Sequence, residues 1–287
     1  MRELFKKISK ELSNLEDKKE KLAQQERLKE LWEKYDGDDR IISSEELMKE
    51  LEEERKKERL KIYTGIPTLD RKIEGFREGN LVVISAPTKN GKTSLCQSFT
   101  KEFSKQATSC LWFSYEVPII EFLDKFGEKP PTFYVPRQIK GNTITWLEER
   151  IIESIAKNNT KVVFIDHLHY IVDMNAKNQN MSLQIGATMR SLKKIALRFN
   201  IIIFLIAHMK HVKLFKEPEI EDLRDSSFIG QEADIVLMLW RLKDKQTDEM
   251  LNETNLVIRA HRRTGETGKI PLIYENNKFK EITTNYE

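Results

Sequence analysis

Five short apolar runs punctuate the chain beyond residue 80: LVVISA from Leu81, CLWFSY from Cys110, VVFID from Val162, IIIFLIAH from Ile201 and IVLMLW from Ile235. Each is rich in β-branched and aromatic residues and lacks polar alternation, the pattern of a strand covered on both faces. Helical periods fall between them. In Met181 to Phe199, for example, Leu183, Ile185, Met189, Leu192, Ile195, Ala196 and Phe199 share one face. This alternation predicts an α/β fold with a mostly parallel central sheet flanked by helices. Two later runs, NLVIRAHR and KIPLIYE, are joined by a TGETG turn and predict an antiparallel hairpin closing the sheet's edge. The first 63 residues read differently. A narrow stripe of Leu4, Ile8, Leu12, Leu15 and Leu22 restarts at Leu47 and Leu51 after a YDGDD turn from Tyr35 to Asp39, which predicts a helical arm or short coiled coil.

Composition sharpens that division. Residues 1–63 hold 17 Lys+Arg and 18 Asp+Glu, no proline and a single glycine, Gly37, as solvated helices do. We expect a charged helical arm over 1–61 and one globular domain over 62–287; the overall length of 287 residues suits a domain of about 200–230 residues plus an appendage. The longest apolar run, Ile201 to Ala207, is far short of the ~20 residues a membrane-spanning helix needs, and the N-terminus continues into charged sequence. A soluble, cytoplasmic protein without a membrane partner is the expectation. Cys96 and Cys110 fall in a predicted helix and a predicted buried strand, so packed thiols are expected. A net charge of +3 is too mild to announce nucleic acid, whose phosphates respond to local clusters of Lys and Arg.

Chemistry enters where the first strand ends. LVVISA runs into Ala86, Pro87, Thr88, Lys89, Asn90, Gly91, Lys92 and Thr93, and a helix follows from Ser94. This is a P-loop in its strand–loop–helix context, with Ala86 in place of the usual first glycine. Backbone N–H groups of the loop and helix start, through Ser94, would cradle phosphates; Lys92 would reach the β/γ oxygens of ATP, and the Thr93 hydroxyl would serve Mg²⁺. Hydrolysis also needs a carboxylate on the metal side and a group that orients water. Asp166 ends VVFID and could hold the Mg²⁺ shell through water. Glu116 follows CLWFSY and could deprotonate the attacking water. His208 ends IIIFLIAH and could hydrogen-bond the γ-phosphate and register its loss.

These residues, together with TGIPTLDRKIEGFREGN from Thr64, LWFSYEVP around Glu116, VVFIDHLHYI around Asp166 and DLRDSSFIGQEADIVLMLWR from Asp222, resemble the RecA-type ATPase domain of the hexameric replicative DNA helicases. The resemblance covers about residues 62–283. AHMK from Ala207 with RRTGETG from Arg262 is more similar to the phage and mitochondrial branch than to the bacterial one. It implies a RecA-like P-loop fold, and ATP hydrolysis at subunit interfaces that drives movement on single-stranded DNA, 5′ to 3′ by analogy. Arg262 or Arg263 would act in trans on the γ-phosphate of the next protomer, with Arg262 keeping the family's spacing to the turn. Arg241 and Tyr274 match positions that sandwich the base. DNA would meet two channel loops, Met174 to Met181 with Lys177 and Asn178, and Lys210 to Lys216 with Lys210 and Lys213; the plainer alternative for the second is a solvated polar loop. The implied partners are single-stranded DNA, further copies of the chain in a ring, a hexamer, and primase or other replication proteins. Two alternatives stay open: a RecA/RadA-like recombination ATPase, and a non-motor ATP-dependent switch acting through the arm.

Overall fold

The computed structural model describes residues 17–29, 33, 37, 40–56, 60–172, 181–209, 217–223, 226–244, 247 and 249–282. Contacts within the chain divide it into two units, Met1–Glu58 and Arg59–Glu287. In the first, residues 17–29 form a helix, α1, and Ser44–Lys56 a second, α2. Ser43 caps α2 by accepting from the Glu46 backbone N–H at 3.1 Å, and acidic Glu45 and Glu46 occupy its first turn, both favourable at a helix N-terminus. Leu22, Leu28, Leu47 and Met48 of this unit are exposed. Leu4, Ile8, Leu12 and Leu15 of the predicted stripe, and most of the YDGDD turn, lie outside the described residues.

The second unit opens with a two-residue ladder, β1 (Lys61–Ile62) on β2 (Phe76–Arg77), around α3 (Pro67–Ile73). Pro67 starts α3, where its missing N–H costs nothing, and Asp70 ties the approach by accepting from the Thr64 and Gly65 N–H groups at 2.7 and 3.0 Å. The five predicted strands follow as β3 (Leu81–Ala86), β4 (Cys110–Ser114), β5 (Val162–Asp166), β6 (Ile202–His208) and β7 (Ile235–Lys243). They pair in parallel in the order β7-β3-β6-β5-β4.

Both faces of this sheet are covered, which is why the runs lack polar alternation. Val82, Ile84 and Phe164 face α4 (Lys92–Lys105), whose Leu95, Phe99 and Phe103 share their cluster. Leu81, Val83, Val163 and Ile165 face the opposite way, toward α6 (Ile144–Asn158) and α8 (Met181–Arg198). Between β4 and α6 lies α5 (Ile119–Asp124); α7 (Leu168–Ile171) follows β5, and α9 (Ser226–Glu232) precedes β7.

Beyond β7 the sheet turns antiparallel through β8 (Met250–His261), β9 (Gly268–Glu275) and β10 (Lys278–Glu281). The expected hairpin is β8 with β9, and two more pairings extend it. β7 runs past Trp240 to pair with β8, and Asn276-Asn277 turns the chain into β10. Both asparagines have positive φ, 52° and 57°, as a two-residue hairpin turn of this hand requires. β10 then lies along α4: the Phe279 N–H donates to Ser98 Oγ at 3.0 Å and Lys101 Nζ to the Asn277 carbonyl at 2.7 Å.

The strand order positions the site. The chain leaves β3 for the far edge at β4, returns through β5 and β6, and then passes over β3 to β7. That reversal opens a crevice at the carboxyl end of β3, where ligands of doubly wound sheets bind.

Candidate functional site

The loop after β3 is shaped for an anion. Lys89 and Gly91 both take positive φ, 63° and 88°, and Gly91 caps α4 without a side-chain bond. The first N–H groups of α4, those of Lys92, Thr93 and Ser94, have no partner within the helix and lie at its positive end. Glycine is needed at 91 on two counts, since a Cβ there would also stand 3.0 Å from Phe279 Cζ. The Lys92 ammonium is buried and donates to the carbonyls of Ala86 and Pro87 at 3.2 and 3.4 Å. Burial lowers its pKa, and the carboxylates of Asp166 and Glu116 oppose the shift. Asn90 fastens the loop to the sheet: its Nδ2 donates to the Thr88 carbonyl at 3.1 Å and its Oδ1 accepts from the Arg241 N–H at 2.9 Å.

Register aligns the neighbouring strand ends. Ala86 pairs with His208, and Ser114 with Asp166, so the ends of β3, β6, β5 and β4 sit side by side and bring Lys92, His208, Asp166 and Glu116 to one rim. Thr93 Oγ1 donates to Asp166 Oδ2 at 2.7 Å, while Asp166 Oδ1 is buried without a hydrogen-bond partner. A hydroxyl beside an unsatisfied carboxylate oxygen suits a hard, oxygen-seeking cation such as Mg²⁺. Burial pushes the Asp166 carboxyl up to about 6; Glu116 adds to the rise, and the Thr93 hydroxyl and Lys92 pull against it.

This shift bears on stability. Between an ordinary 3.8 and about 6 the folded chain keeps a proton that the unfolded chain has released, so stability falls as pH rises through that window and the full penalty holds above it. The penalty is about 3 kcal/mol. Asp166→Asn is therefore expected to stabilise the protein, in the absence of nucleotide and metal, by about 1–3 kcal/mol at neutral pH, and to flatten the dependence between pH 4 and 6. Denaturant melts across that range check it; a variant no more stable than the parent would show that the buried charge carries no cost.

Glu116 extends over two histidines. Its Oε2 lies 3.3 Å from His167 Nδ1 and 4.0 Å from His208 Nε2, and the imidazoles meet edge to face at 4.0 Å between centroids. The peptide joining Asp166 to His167 is cis. Burial, with His208 and His169 adding to it, pushes His167 down to about 3, so its ring is neutral. His167 is a site residue that the sequence reading passed over, although its place directly after the strand-ending Asp166 was a usable signal. Phe279, against Gly91 and 4.8 Å from the Tyr274 ring, had no such signal, because NNKFK reads as a polar tail.

The remaining predicted residues divide. Arg241 sits near the loop through its backbone, and its guanidinium donates to the carbonyls of Leu251 and Met250 on β8. Tyr274 lies on β9, two strands from Arg241, packed on Phe279. Arg262 and Arg263 stand at the opposite end of the sheet. The Arg262 N–H donates to the Asp234 carbonyl at 2.8 Å, and Asp234 Oδ2 accepts from the N–H of Leu81, the first residue of β3, at 2.7 Å. The length of β3 thus separates Arg262 from its own P-loop, about 17 Å at ~3.3 Å per residue, beyond an arginine's reach. Arg263 is held by Glu74 at 2.7 Å and the Ile73 carbonyl at 2.8 Å. The Arg262 side chain donates to the Gln231 carbonyl and is half exposed. Lys177, Asn178, Lys210 and Lys213 lie outside the described residues.

The family model of the DnaB-like helicase C-terminal domain matches residues 61–129 and 131–282. The chain belongs to that family. As a DnaB-like helicase C-terminal domain it is 25% identical over 265 residues to the probable replicative DNA helicase of Trieres chinensis, covering 76% of this chain and 56% of that protein. It is 28% identical over 262 residues to the replicative DNA helicase DnaB of Mycoplasma pneumoniae, covering 75% and 55%. The chain thus spans a little over half the length of these relatives. In fold it is similar to a solved ATPase domain, with a TM-score of 0.71 at 21% identity over 84% of this chain and 99% of that one. A DnaB-like replicative helicase, described with its interactions with primase, gives 0.69 at 22% identity over 90% and 72%. Both structures share the RecA-like arrangement expected of this DnaB-like domain. No helix among the described residues is long and apolar enough to cross a membrane.

Proposed function

We propose that residues 62–287 are the motor of a replicative DNA helicase, hydrolysing ATP between subunits of a ring, a hexamer, to move 5′ to 3′ on single-stranded DNA. Residues 1–61 would be its charged helical arm. The observation that carries the reading is the Thr93–Asp166 hydrogen bond of 2.7 Å beside a phosphate cradle, with Glu116 on the same rim, in a chain of the DnaB-like family. Membership of the DnaB-like family favours this reading over a RecA/RadA-like recombination ATPase, and a switch that only binds nucleotide would have no use for a catalytic Glu116.

In this reading Lys92 turns from the loop carbonyls to the β/γ oxygens, and the N–H groups from Thr88 to Ser94 enclose the phosphates. Thr93 and, through water, Asp166 would hold Mg²⁺, which would supply charge neutralisation at those oxygens. Glu116 takes the proton of the attacking water, and His208 contacts the γ-phosphate and transmits its loss along β6. Arg241 and Tyr274 flank the base. Arg262, too far from its own P-loop, serves the next protomer's, which makes turnover depend on subunit geometry. DNA meets Lys177 and Asn178 in the segment 174–181 and Lys210 and Lys213 in the segment 210–216, and a ring multiplies such contacts. We place the protein in the cytoplasm, with primase or other replication proteins as partners.

ATP turnover should rise when single-stranded DNA is added, and the rise should vanish in Lys92→Ala. Turnover in the parent protein that ignores DNA would contradict the motor reading.

A further inference from the structure

Glu116, His167 and His208 offer one ligand atom each, all within 4.8 Å of one another, and we propose that they form a second cation site, selective for a borderline divalent ion such as Zn²⁺ or Co²⁺. Two features mark it as more than a chance meeting. The His167 side chain is 9% exposed, and its Nδ1 is buried with no hydrogen-bond partner. That unpartnered nitrogen stands 3.3 Å from Glu116 Oε2. At that distance the two form no hydrogen bond, and a cation seated between them would give the buried nitrogen a partner.

The spacing is close to what an ion needs. Ligands held at about 2.0–2.1 Å from a tetrahedral ion lie roughly 3.3–3.4 Å apart, which the Glu116–His167 pair already satisfies. His208 Nε2, at 4.0 Å from the same oxygen, closes the remainder by turning about its soft terminal torsion. Three protein ligands leave a fourth position for water. The donors also differ from those of the Mg²⁺ site. Thr93 and Asp166 offer oxygen alone, whereas two imidazoles with one carboxylate favour Zn²⁺, Co²⁺ or Cu²⁺ over Mg²⁺, which sheds water reluctantly.

Occupancy would take the Glu116 carboxylate from the attacking water and draw His208 from the γ-phosphate. The site is then an inhibitory one. This consequence rests on the roles proposed above; metal binding does not.

The test uses the full chain without nucleotide, titrated with Co²⁺ and followed by its visible absorption, with Zn²⁺ added afterwards. One Co²⁺ per chain, displaced by Zn²⁺, is expected. Glu116→Gln and His167→Gln should each weaken binding about tenfold or more, while His261→Gln, at the opposite end of the sheet beside the start of β7, should leave it unchanged. Glu116 is 44% exposed, so its variant puts no fold at risk even if the histidine variant melts. No absorption, or absorption that survives Glu116→Gln, would overturn the site. Zn²⁺ at the filling concentration should then suppress ATP turnover at least about tenfold. Bound metal with undiminished turnover would uphold the site and count against Glu116 as the base.

Discussion

Arg262→Ala is expected to lower ATP turnover by about 10³–10⁵-fold, the range in which arginines that reach a neighbour's γ-phosphate act, while nucleotide binding changes little. The reason is positional. Arg262 lies beside Asp234 at the start of β3, a strand's length from the P-loop at its end, so it can do nothing for the nucleotide of its own subunit. Half its side chain is exposed. Arg263→Ala serves as the comparison. Its guanidinium ties the end of α3 through Glu74 and Ile73, and its loss should cost stability more than turnover. Steady-state hydrolysis and nucleotide titration of both variants separate the two arginines; a turnover collapse confined to Arg263→Ala would exchange their roles.

Glu116→Gln should lower turnover by about 10²–10⁴-fold and spare ATP binding, because the amide keeps the shape and loses the base. The residue sits where strand register puts it. Ser114 pairs with Asp166, and two residues on, Glu116 faces the rim beside the buried Asp166 carboxylate. The two carboxylates differ in environment, which fits the two roles proposed for them. Asp166 is buried with one oxygen lacking a hydrogen-bond partner, while Glu116 is partly exposed. Single-turnover hydrolysis with matched nucleotide binding measures the effect, and a variant that turns over at the parent rate would remove Glu116 from the chemistry.

Much of this was legible along the chain. The five strands stand out because each is apolar on both faces, and Asp166 and His208 stand out because each ends such a run. The P-loop is legible for a related reason: GKT alone is common, but a strand before it and a helix after it give its N–H groups a place to converge. What was hidden is what pairing decides. Nothing in the order of the runs says that β3 lies between β6 and β7, and this order creates the crevice. Nothing local says that Arg262 emerges at the far end of the sheet; the β7–β8 register, Ile235 against His261, does. Phe279 reaches Gly91 only because an Asn-Asn turn folds β10 back over α4, and the turn itself could have been read from its two asparagines.

A nucleotide site completed by the neighbouring subunit is the central claim, and mixing subunits tests it most directly. Lys92→Ala and Arg262→Ala, each inactive alone, are combined in equal amounts under assembling conditions and ATP turnover is followed. About one interface in four would then join an intact P-loop to an intact arginine, and turnover should rise well above the sum of the two variants. A mixture no more active than its components, or an Arg262→Ala protein that hydrolyses ATP unaided at the parent rate, would contradict the shared site.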